Sequence, residues 1–72
     1  MVSDPDVRAI RTALGMSQQE FAAAFGFTLG TVRDWEQTRR RPEMAARTLL
    51  TVIAAQPDLV RNVVRASMVP IA

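Results

Sequence analysis

The chain has 72 residues, 49% of them hydrophobic, and its nine cations, all arginine, stand against seven carboxylates for a formal net charge of +2. That length allows one domain, residues 1–72, near the lower limit for a self-sufficient core, and no cysteine is present to staple it or to hold a metal as thiolate. Histidine, lysine and tyrosine are also absent, which removes the usual general bases, Schiff-base amines and phenolic acids and argues against an enzyme, a metal site or a cofactor.

The first helix is expected over residues 4–14, with Asp4 and Pro5 as N-cap and first-turn pair, Val7, Ile10 and Leu14 on one face, and Gly15 as its stop. Ser17 and Glu20 make a capping box, so a second helix starts at Gln18 and ends by Phe25 with Phe21, Ala22 and Phe25 inward. Gly26 can take a positive φ and lets Phe27 fold back into the angle between helices. Thr28 then caps a third helix over residues 29–37, whose inward stripe is Val32 and Trp35. Residues 18–37 are thus two short helices joined by a tight turn, a helix-turn-helix, and Ala22 is small where the two cross.

Pro42 should open a fourth helix over residues 42–55, with Glu43 in its first turn and Ala46, Leu49, Leu50 and Ile53 inward. Pro57 breaks it and starts a fifth over residues 58–67, whose stripe is Leu59, Val60, Val63, Val64 and Met68, followed by an apolar tail with Val69 and Ile71. There is no repeat, linker or low-complexity segment, no run as long as a membrane span and no signal-peptide pattern. The expected fold is all-α, a compact five-helix bundle.

Apolar residues at 21, 25, 27, 32 and 35, a small one at Ala22, glycine at Gly26 and the Trp35-Glu36 pair form a pattern at fixed offsets. With the flanks Leu14-Gly15-Met16-Ser17-Gln18 and Arg39-Arg40-Arg41-Pro42, it resembles the Xre/Cro/C1 family of phage and bacterial repressors over residues 7–50. The Leu14–Ala22 run, and the Arg33–Gln37 run continued by Arg39–Pro42, look most like HigA-type antitoxins. The resemblance implies a lambda-repressor-like DNA-binding domain in a cytoplasmic protein of bacterial or phage origin, repressing its own operon and, as an antitoxin, neutralising an mRNA-cleaving toxin. A phage or mobile-element repressor, such as an anti-CRISPR-associated autoregulator, is similar in size and motif. Arg11 and Glu36 lie beside core positions and each needs a partner; the family places such residues together as a partly buried, structural ion pair. The family commonly has glycine two residues after the glutamate, whereas Thr38 stands here, so the third helix is expected to end differently or fray.

With Val32 and Trp35 inward, Leu29, Gly30, Arg33, Asp34 and Gln37 form the outer face of the third helix, which in a helix-turn-helix enters the major groove. Arg33 is the candidate for a two-pronged guanine contact, Asp34 for accepting from cytosine or orienting Arg33, Leu29 for a thymine methyl, and Gly30 for close backbone approach. Gln18, Thr28 and Thr31, with Arg39, Arg40 and Arg41, are phosphate candidates; Arg8 and Arg47 are weaker ones, and Arg61 and Arg65 belong to the wet side of the fifth helix. One recognition helix reaches few base pairs, so a palindromic duplex and a homodimer are expected, built on residues 58–68 through Val60, Val63, Val64 and Met68. A reading of another class is a protein-only adaptor that binds its partner through this same apolar helix.

Overall fold

The computed structural model describes residues 5–68, the side chain of Met68 excepted, as five helices: α1 Val7–Ala13, α2 Gln18–Phe25, α3 Leu29–Glu36, α4 Met44–Ala55 and α5 Pro57–Met68. No strand occurs among the described residues. The first helix begins at Val7 rather than at residue 4, because Asp6 takes extended backbone and its carboxylate accepts from the Ala9 N–H at 3.0 Å. Asp4 lies outside the described residues. At the other end Gly15 adopts φ 69, and the N–H groups of Gly15 and Met16 donate to Thr12 and Arg11 at 3.0 and 3.2 Å, a closure only a left-handed residue allows.

The capping box of α2 is reciprocal, with Glu20 N–H to Ser17 Oγ at 3.0 Å and Ser17 N–H to Glu20 Oε1 at 2.8 Å. Gly26 turns left-handed at φ 78, and Phe27 N–H reaches the Ala22 carbonyl at 2.9 Å, which directs the chain into α3. Thr28 Oγ1 caps α3 by accepting from Thr31 N–H at 3.1 Å. The expectation that α3 would fray or end differently is overturned: Thr38 itself takes φ 56. Its N–H donates to Trp35 and that of Arg39 to Asp34, at 3.3 and 2.9 Å, the same closure that ends α1. The Thr38 hydroxyl donates to the Gln37 carbonyl at 2.6 Å.

Two further boundaries move. Pro42 is buried ahead of α4 instead of opening it, and Glu43 is the extended N-cap rather than a first-turn residue, with no side-chain cap bond. Pro57 occupies the first position of α5, where its missing N–H has no intrahelical partner to lose.

The core joins all five helices. Phe21, Val32, Leu50 and Ile53 are fully buried, and Val7, Ala22, Phe25 and Val60 nearly so. The aromatic rings run in a chain from Phe25 through Phe21 and Phe27 to Trp35, with centroids 5.0, 6.1 and 5.0 Å apart. Helix α5 packs against α2 and α4, and this uses up part of the stripe assigned to a dimer surface. Val60 is a core residue and Val64 is half-buried against the core, so neither presents an open face. Leu59 and Val63 are the exposed members, at 58% and 56%. The side chain of Met68, with Val69 and Ile71, lies outside the described residues.

Candidate nucleic-acid interface

Helix α3 is held by its inner face. Val32 is fully buried, and Trp35 meets Phe27 edge to face, so rotation of the helix would break both contacts. The outer face then presents Gly30, Arg33 and Gln37 exposed, with Leu29 and Asp34 half-buried beside them. Gly30 has no positive φ, and a Cβ there would meet nothing within 4 Å, so neither backbone nor packing demands glycine at this position. Its effect is to leave the first turn of α3 bare on the outside.

The last residue of α3 fixes the helix at its far end. The Glu36 side chain is fully buried and accepts from Arg11 Nε at 2.7 Å and Arg11 Nη2 at 3.0 Å. Gln18 Nε2 at 3.2 Å and Arg8 Nε at 3.3 Å complete the shell. Arg11 also donates through Nη1 to the Met16 carbonyl at 3.0 Å. This knot ties α3 to α1, to the loop after α1 and to the start of α2, and so sets the angle between the two motif helices. The Arg11 hydrogen bonds, opposed by burial and helped by Gln18 and Arg8, hold the Glu36 carboxyl down at about 2, while the same contact with Glu36 raises Arg11. Arg11 and Glu36 therefore pair as the resemblance implied, but two further donors to Glu36 were not expected. Gln18, read as a phosphate contact, turns its amide onto Glu36, and Arg8 joins from 28 residues away.

Arginine placement differs in one respect from the sequence reading. The turn at Thr38 folds Arg40 back over α3, where its Nε pairs with Asp34 Oδ2 at 3.0 Å and its Nη2 donates to Thr31 Oγ1 at 3.0 Å. Asp34 thus orients Arg40 and not Arg33. Thr28 Oγ1 donates to Thr31 Oγ1 at 2.8 Å, which closes the chain of hydrogen bonds along the start of α3. Arg33, Arg39 and Arg41 are exposed on α3 and the loop that follows it, and with Arg40 they place four of the nine arginines on or just after the recognition helix. Neither the Arg8–Glu36 nor the Arg40–Asp34 pair has a local sequence signal, because both depend on how the chain folds back.

The sequence pattern of the helix-turn-helix family matches residues 7–46, more than half of the chain. The chain belongs to the helix-turn-helix family. Its XRE character follows from a crystal structure of an HTH XRE-family-like protein from Agrobacterium tumefaciens, which is similar at a TM-score of 0.82 and 43% identity over 85% of this chain and 98% of that one. The uncharacterized HTH-type transcriptional regulator YiaG of Escherichia coli K12 is 30% identical over 54 residues, 75% of this chain and 56% of that protein. The same YiaG description and identity recur in Escherichia coli O157:H7. The chain thus spans just over half the length of these relatives. Within this XRE-type helix-turn-helix, α2 and α3 are the motif helices and pack against each other, and Ala22 of α2 is buried.

Proposed function

We propose that the protein is a sequence-specific, double-stranded DNA-binding transcription regulator that represses its own operon by placing α3 in the major groove. The observation that carries this is the mounting of α3: its inner face and C-terminal end are locked, while its outer face exposes Gly30, Arg33 and Gln37 and is flanked by arginines. Arg33 then reads guanine, Leu29 touches a thymine methyl, and bare Gly30 admits a close approach of helix to base edges. Arg39 and Arg41, with the start of α3 at Thr28, hold phosphates.

A palindromic duplex bound by a twofold dimer fits the exposed Leu59 and Val63 of α5, apolar side chains outside the core. The Leu14–Ala22 and Arg33–Gln37 runs support the finer reading of a HigA-type antitoxin with a toxin partner. A protein-only adaptor would use the same exposed pair on α5. Binding of random and library-enriched duplexes measured against salt separates the two, because contacts to phosphate release counterions and weaken steeply as salt rises, whereas an apolar contact does not. No duplex binding at low salt would overturn the proposal.

A further inference from the structure

Resting on the DNA-binding reading above, we propose that Arg40 is a specificity-determining contact that reads a guanine beside α3, with Asp34 as its positioning residue, rather than one more sequence-blind phosphate clamp. Arg40 does not reach away from the recognition helix. Its guanidinium lies back on it, bound side-on through Nε to Asp34 Oδ2 and Nη2 to Thr31 Oγ1, each at 3.0 Å. That arrangement occupies one edge of the group and leaves its end, the Nη1 and Nη2 hydrogens, as a fork. The fork is the geometry that takes guanine O6 and N7 together. The side chain is still 56% exposed, so an outside acceptor can reach it.

Thr31 is part of the same anchor. Its Oγ1 accepts from Arg40 Nη2 and shares a hydrogen bond with Thr28 Oγ1, so it is held in place under the guanidinium. The free end of Arg40 offers donors only, and the matching base edge in the major groove is guanine's pair of acceptors, not cytosine's amino group. Because Asp34 and Thr31 already restrict the Arg40 rotamers, less side-chain freedom is lost on binding than for an unanchored arginine.

The test is parallel enrichment of duplexes from a randomised library by the wild-type chain, R40A, R40K and D34A, followed by titration of the enriched and random duplexes. The expected result is a guanine preference at one position per half-site, separate from the position lost in R33A, that falls roughly 5- to 100-fold in R40A and R40K. R40K keeps the salt slope, since it keeps the charge and lacks the fork. D34A loses the same preference, and D34A adds nothing in the R40A background, a coupling that a merely structural Asp34 would not show. Equal weakening of enriched and random duplexes by R40A, with a lower salt slope, overturns the inference and makes Arg40 a phosphate contact. Loss of the preference in R40A but not in D34A overturns the positioning role. A wild-type chain that enriches and binds no duplex overturns the DNA-binding reading itself, which is distinguishable from either. Unchanged helical circular dichroism in each variant accompanies a valid comparison, as Arg40 is exposed and Asp34 half-buried outside the core.

Discussion

Thr38 holds φ 56 at the end of α3, where a β-branched side chain crowds its own backbone. The hydrogen bonds from Thr38 and Arg39 N–H back to Trp35 and Asp34 keep it there. Thr38→Gly should keep the turn and stabilise the fold by about 1 kcal/mol, read from urea unfolding; unchanged or reduced stability would mean that the threonine carries no net strain. Glu36 makes the larger contribution. Its folded carboxyl sits at about 2 against an ordinary 4.5, so below pH 4.5 the unfolded chain binds the extra proton. Stability from this group is complete above that pH and drains away as pH falls toward about 2, with Glu20, lowered by its bonds to Ser17, acting in the same direction. Glu36→Gln should flatten the acid limb of a stability–pH profile. At neutral pH Glu36→Ala should cost about 3–5 kcal/mol by leaving Arg11 without its carboxylate, and a cost under about 1 kcal/mol would contradict a buried role. That Arg11 and Glu36 each need a partner was legible from two charges beside apolar stripes, and the family resemblance supplied their pairing. Gln18, Arg8 and the Arg40–Asp34 contact were not legible, since each is made by chain reversals that no local spacing encodes.

At the level of elements, α2 and α3 were read to the residue at their starts. Ser17 and Thr28 each close a bond that the sequence spells out three residues ahead, and α2 and α3 begin where expected. Helix α1 was expected to start from Asp4, and Asp6 holds the cap instead. Helix α4 has a cap with no side-chain bond, so Pro42 was the only visible signal and it misled by two residues. Periodicity found the stripe of α5 but not its division, because which members are covered depends on where α2 and α4 lie. The loop after α3 carries a prediction of its own. If Arg39 and Arg41 hold phosphates, replacing either by alanine weakens enriched and random duplexes alike and lowers the salt slope by about one unit; an unchanged slope removes that residue from the contact.

For the whole molecule, the exposed pair Leu59 and Val63 is the surface through which two copies would present their α3 helices to successive half-sites. Val63→Asp should give monomers with unchanged helical content and much weaker binding to an enriched duplex, whereas Val60→Asp, which puts a charge in the core, should unfold the chain. Sedimentation of the free protein checks both, and a wild-type monomer that protects a single non-palindromic half-site would remove the dimer. The central claim is that the outer face of α3 reads base sequence. Fluorescence anisotropy of wild type and Arg33→Ala on an enriched duplex, on its single-base variants and on a random duplex tests it most directly. The account predicts a loss of about 1–3 kcal/mol on the enriched duplex, concentrated at one base position, with little change on random DNA. Equal weakening on every duplex would contradict it.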